Sequence, residues 1–80
     1  AEQDHAAMAM ASEANGDWNR ACDAWQAAVA QEGRNRESLA RYAFALLKQQ
    51  SRAEAEAWLK RLQELAPDWF PTLELEARLH

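Results

Sequence analysis

The stretch AMASEANGDWNRA, Ala9–Ala21, has a counterpart in AFALLKQQSRAEA, Ala43–Ala55, which begins 34 residues later. Alanine opens both stretches, recurs at their third position (Ala11 and Ala45) and closes them (Ala21 and Ala55). The same offset links Ala6 with Ala40, Leu39 with Leu73, and Ala43 with Ala77. Two helices approach closely only where neither carries bulk. Small residues recurring at a fixed period therefore predict one helix pair repeated along an axis.

Outward from these stretches the chain reads as five helical segments. The first runs from Glu2 to about Ala14, with Ala6, Met8, Ala9 and Ser12 as a weak stripe. Asn15-Gly16-Asp17 ends it, with Gly16 able to adopt the left-handed conformation and Asp17 placed to cap the next helix. That second helix carries Ala21, Trp25, Ala28 and Val29, and Gly33-Arg34-Asn35 breaks it. A third, from Arg36 to Gln49, sets Leu39, Tyr42, Ala43 and Leu46 on one face. Ser51 with Glu54 reads as a capping box for a fourth helix bearing Ala55, Trp58, Leu59, Leu62 and Leu65. Pro67 stops that helix, and Pro71 stands near the first turn of a fifth, where proline is tolerated. Turns this short make neighbouring helices antiparallel.

Composition agrees. Eighty residues make one small domain, and the 49% apolar content is largely alanine, with two glycines and two prolines to interrupt helices. A formal charge of -4, with acidic and basic residues interspersed, argues against nucleic acid and anionic membrane surfaces as partners. Apolar runs are far short of the ~20 residues needed to span a bilayer, so no membrane insertion is expected. Cys22 is the only cysteine, which excludes an internal disulfide and a multi-cysteine zinc site and fits a reducing compartment. The amino end lacks the basic-then-apolar pattern of a signal peptide. It begins at Ala1 rather than methionine, which points to a processed protein or, preferably, a fragment of a longer one.

This pattern resembles the tetratricopeptide repeat, a 34-residue helix-turn-helix unit. The first unit would cover 2–35, with Ala9, Gly16-Asp17-Trp18, Ala21, Trp25 and Ala28. The second would cover 36–69, with Leu39, Tyr42, Ala43, Leu46, Ala55, Leu59 and Pro67. An additional helix, 70–80, would carry Leu73 and Ala77, completing one domain over 1–80. The resemblance implies an all-α, right-handed solenoid of antiparallel helix pairs. There are departures. Gln50 stands at the turn glycine of the second unit, and Gly33 at the proline closing the first. Leu62 replaces a preferred alanine, and Glu76 occupies a core leucine position, which would leave the fifth helix rotated or irregular.

Little here supports catalysis. His5 beside Asp4, and His80 at the far end, read as surface residues, too few and too terminal for a Ser-His-Asp set. Two isolated glycines cannot form a phosphate loop, and no cofactor is expected. Glu54, Glu56, Glu64, Glu74 and Glu76 interleave with Lys60, Arg61 and Arg78, as solvated helix faces do. Cys22, between Ala21 and Trp25, reads as a buried structural thiol. Trp18, Trp25 and Trp58 read as packing residues. Trp69 and Phe70 either staple the fifth helix to the fourth or form an exposed aromatic contact.

The resemblance implies a concave groove lined by the first helices of successive units. Carried over by position, it takes Gln3, Ala6, Met10 and Glu13, then Glu37, Ala40, Arg41, Phe44, Leu47 and Lys48, then Glu74, Leu75 and Arg78. Met10, Phe44, Leu47 and Leu75 are apolar where packing does not require it, and Phe44 is the expected anchor. Arg41, Lys48 and Arg78 stand ready to meet a carboxylate. Ala6 and Met10 replace the polar residues with which some members grip a terminal carboxylate, so an apolar or helical ligand is expected. A protein or peptide partner in this groove, within a larger scaffold or adaptor, is the first functional reading. The alternative is a structural spacer or a homodimeric repeat without a peptide ligand, with Leu75 and Leu79 as the fifth helix's exposed face.

Overall fold

The computed structural model describes residues 5–79, so Gln3, Asp4 and His80, and any helical start at Glu2, lie outside the described residues. Five helices follow in order: α1 (His5–Ala14), α2 (Trp18–Gln31), α3 (Arg36–Lys48), α4 (Arg52–Leu65) and α5 (Phe70–Leu79). The described residues contain no strand. The architecture is an all-α helical repeat.

The two turns that reverse the chain, α1 to α2 and α3 to α4, are built the same way. The Asp17 amide donates to the Ser12 carbonyl at 2.8 Å, and the Ser51 amide to the Leu46 carbonyl at 2.8 Å. Inside these, Gly16 donates to Glu13 at 2.9 Å and Gln50 to Leu47 at 3.0 Å. Each donor and acceptor is displaced by 34 positions. Both sets form the Schellman arrangement, which needs a left-handed residue just past the helix end. Gly16 has φ 74°, and Gln50 holds φ 64° despite its side chain.

Caps differ from turn to turn. Asp17 accepts the Arg20 amide at 3.3 Å, as its position predicts. Asn35 accepts the amides of Glu37 and Ser38 at 3.1 and 3.3 Å and fixes the start of α3. Ser51 occupies the cap position of α4, but its side chain makes no capping bond, so the expected capping box does not form. Ala9, Ala21, Ala43, Ala45 and Ala55 have no exposed surface, so these recurring alanines stand where helices close on one another, whereas Ala11 and Ala77 are exposed. Trp25, Leu39, Tyr42, Leu46, Leu59 and Leu62 fill the spaces around them. Trp18 and Trp58 are partly buried against this core, with the Trp58 ring 5.1 Å from Tyr42. The stripe expected of α1 is cut down: Ala9 is buried, Ala6 and Ser12 are half-buried and Met8 is 55% exposed, because α1 packs chiefly against α2. Leu65 is also exposed, at the end of α4.

α5 corrects the sequence reading most. Leu75 and Leu79, expected on an exposed face, are completely buried, whereas Leu73 is 48% exposed and Ala77 is exposed. The 34-residue register would have turned Glu76 into the core with Leu73, at the cost of stripping water from a carboxylate. The helix instead buries Thr72, Leu75 and Leu79 against α3 and α4. The Thr72 hydroxyl donates to the Ala66 carbonyl at 2.8 Å, and half-buried Glu76 accepts from Gln63 at 2.6 Å. Arg52, in the first turn of α4, donates to the Leu79 carbonyl and holds the far end of α5.

Candidate functional site

Glu37, Ala40, Arg41, Phe44 and Lys48 recur at three- and four-residue steps, so they share one face of α3. That face forms the floor of a hollow of about 500 Å³. Glu13 on α1 and Trp18 at the start of α2 line one side, and Trp69, Pro71 and Glu74 line the other. The turns place these walls. Asp17 sets the start of α2 immediately before Trp18, and Pro71 fixes the backbone beside Trp69.

Each of the three rings lining the hollow, Trp18, Phe44 and Trp69, has a cation over it, as does the buried Trp25 of the core. Lys48 lies 5.9 Å from the centre of Trp18, Arg41 5.9 Å from Trp25, and Arg36 4.7 Å from Trp69. Arg78 reaches from α5 to lie 5.6 Å from the centre of Phe44. Such contacts combine ring electrostatics with the stacking of long side chains on apolar surface. Glu13 ties three helices together. Its carboxylate accepts from the Trp25 indole at 2.5 Å and pairs with Arg41 at 3.5 Å, and its side chain is only 20% exposed. Glu74 pairs with Arg78 at 3.5 Å. Arg36 and Lys48 make no ion pair among the described residues.

Several sequence expectations meet in this hollow. Glu13, Glu37, Ala40, Arg41, Phe44, Lys48 and Glu74 line it, and Arg78 covers Phe44. Met10, 45% exposed on α1, and Leu47, half-buried against the core, fall outside the lining. Leu75 is a correction: it lies in the core beneath α5 and presents nothing to a ligand. Trp18, Trp69 and Pro71 were not among the positions carried over. They lie at or before helix starts, and a pattern built on first-helix positions passes over them. Trp69 and Phe70 divide between their two readings, since Trp69 packs partly against the core while Phe70 is 72% exposed.

Cys22 is buried, and burial followed by the nearby Asp23, Glu54 and Glu13 carboxylates pushes its thiol up to about 11, which keeps it protonated and unreactive at neutral pH. The Tyr42 hydroxyl is raised as well, again chiefly by burial. No helix among the described residues is long and apolar enough to cross a membrane.

Residues 13–79 match the family described as tetratricopeptide repeat, a span that takes in both turns and every helix from α2 to α5. Neither the curated proteins nor the solved structures yield a match to the chain. With the family match and the repeated turn geometry in agreement over most of its length, this protein belongs to the tetratricopeptide repeat family.

Proposed function

We propose that the chain receives a partner's peptide or helix along the groove between α1, α3 and α5, as two repeats and an additional helix within a larger scaffold or adaptor. The family is a non-catalytic fold that generally mediates contacts between proteins. The observation that carries the finer reading is the half-buried Phe44, with Trp18 and Trp69 partly exposed at the two flanks of one hollow. Apolar rings held at a solvent-filled surface gain by being covered, and helices already packed need little ordering when a partner arrives. Phe44 is the anchor, and Arg41, Lys48 and Arg78 orient the ligand. A self-assembling role would use Phe70 and Leu73, the large apolar side chains α5 leaves exposed, rather than Leu75 and Leu79.

Selection of a displayed peptide library on the intact chain tests this. Selected peptides are expected to lose at least about tenfold in affinity on Phe44→Ala, a hot-spot truncation of about 1.4 kcal/mol or more. Helical circular dichroism should be retained. Lys48→Glu, which reverses the charge of an exposed lining residue without touching the core, should weaken binding too. Equal binding to wild type and both variants would remove the groove from consideration.

A further inference from the structure

We propose that copies of this chain stack head to tail, with the outer face of α5 in one copy seated on the outer face of α1 in the next. The contact uses neither Phe44 nor the hollow around it, so it is independent of the groove.

Charge singles out the two faces. Of all residues 28% are charged, and α2, α3 and α4 each turn charged side chains to solvent. α1 holds one acidic residue and no lysine or arginine, and that residue, Glu13, is turned to Trp25 and Arg41. Its outer side instead exposes Met8, Met10, Ala11 and Ala14. On α5, Phe70 is 72% exposed, Leu73 is 48% exposed, and exposed Ala77 completes their row. α1 packs chiefly on α2, and α5 on α3 and α4, so these are the outermost helices of the described stack. One copy therefore cannot cover one face with the other, and two uncharged apolar faces stand in water.

Their relief matches. Phe70, Leu73 and Ala77 recur at steps of three and four, which makes one row with its bulk at the start of α5. On α1, Ala11 and Ala14 form a shallow floor with Met8 on one side and Met10 on the other. A ring can lie against the alanines while the flexible thioether chains adjust around it.

The interior of the fold uses the same pattern. Ala21, Trp25 and Ala28 of α2, and Ala55, Leu59 and Leu62 of α4, are buried rows that open on alanine and step by four, then three. Ala7, Ala11 and Ala14 take the same steps on the exposed side of α1. Leu73 and Ala77 repeat, 34 residues on, Leu39 and Ala43, which are buried in α3 where α2 and α4 pack. α5 thus presents residues of the kind a second helix covers in the preceding repeat, and the outer row of α1 has the spacing of such a helix.

A two-fold pair of α5 helices is the competing arrangement, and charge counts against it. Antiparallel pairing that seats each Phe70 on the other copy's Ala77 brings Leu73 and Glu74 of both copies to the centre, where two carboxylates repel. The outer face of α1 has no charge to meet Glu74. Because the joined surfaces differ, each added copy presents a fresh face, and growth continues past a pair.

Two variants of the full chain, each with one face blocked by a charge, test the proposal by light scattering and sedimentation velocity. One helix on another makes a contact below standard size, so the mean mass of the unaltered chain is expected to rise between about 10 μM and about 1 mM, passing twice the monomer. Leu73→Glu blocks the α5 face and Ala11→Glu the α1 face; both sites are exposed, and helical circular dichroism should be retained. Each variant alone should stay monomeric. Mixed in equal amounts they should form a pair and stop, because one retains the α1 face and the other the α5 face. Phe44→Ala should leave the mass of the unaltered chain's assemblies unchanged, which separates this contact from the groove. A monomer at about 1 mM overturns the proposal. So does an Ala11→Glu variant that still pairs while Leu73→Glu does not, since α5 would then be meeting α5. Association of both variants as strongly as the unaltered chain would place the contact elsewhere and overturn it as well.

Discussion

At Gln50 the backbone has φ 64°, and at Gly16, one repeat earlier, it has φ 74°. A side chain in the left-handed region costs about 1–2 kcal/mol, a penalty glycine escapes. Gln50 accepts it because the Ser51 and Gln50 amides both find carbonyls in the last turn of α3. Gln50→Gly is therefore expected to stabilise the protein by about 0.5–1 kcal/mol, the relief exceeding glycine's greater freedom in the unfolded chain. Gly16→Ala should cost about 1 kcal/mol, and purely through the backbone, since a Cβ there would meet nothing within 4 Å. Urea unfolding of the two variants reads both signs. The same sign for both variants would mean that the turns are not equivalent. At this scale the sequence was legible where a residue type is demanded by its backbone, as at Gly16 and Asp17. It was not legible at Ser51, where residue type and spacing matched a capping box that the structure does not form.

A helix announces its inward face only when it has one apolar stripe. α2 and α3 do, and Ala21, Trp25, Ala28 and Val29, like Leu39, Tyr42, Ala43 and Leu46, are all buried as their spacing predicts. α5 has two stripes, Leu73 with Ala77 and Leu75 with Leu79, and the repeat register favours the first. Packing chose the second, because it keeps Glu76 beside Gln63 at the margin and lets the Thr72 hydroxyl bond inside. Leu75→Ala or Leu79→Ala should accordingly destabilise the protein by about 2–5 kcal/mol through lost burial and the cavity left behind. Leu73→Ala should change stability by no more than about 0.5 kcal/mol, as surface substitutions do. Thermal and urea unfolding of the three variants would return the register of α5 to the first stripe if that order were reversed. The groove inherits this lesson. Residues on α3 were placed by a single unambiguous stripe, whereas Leu75 was carried over on a register that α5 does not keep.

In a stacked array, each helix is only as stable as the neighbours that cover it. α3 lies against α2, α4 and α5 and buries Ser38, Leu39, Ala40, Tyr42, Ala43, Ala45 and Leu46, while α1 lies chiefly against α2 and buries Ala9. Amides of α3 should therefore exchange only through global unfolding, and those of α1 through cheaper local opening. What holds α1 beyond its short apolar contact is the Glu13 carboxylate, bonded to the Trp25 indole and paired with Arg41. Glu13→Ala is expected to lower the opening free energy of α1 by about 1–3 kcal/mol, the range for hydrogen bonds to a charged group. It should leave α5 protection unchanged, since α5 depends on Thr72, Leu75 and Leu79. Native-state hydrogen exchange, resolved by residue, separates the two ends. Equal loss at α1 and α5 would mean that Glu13 acts on the whole fold. Loss confined to α1 would make Glu13 the residue that keeps one wall of the groove, and Arg41 within it, in position for a partner.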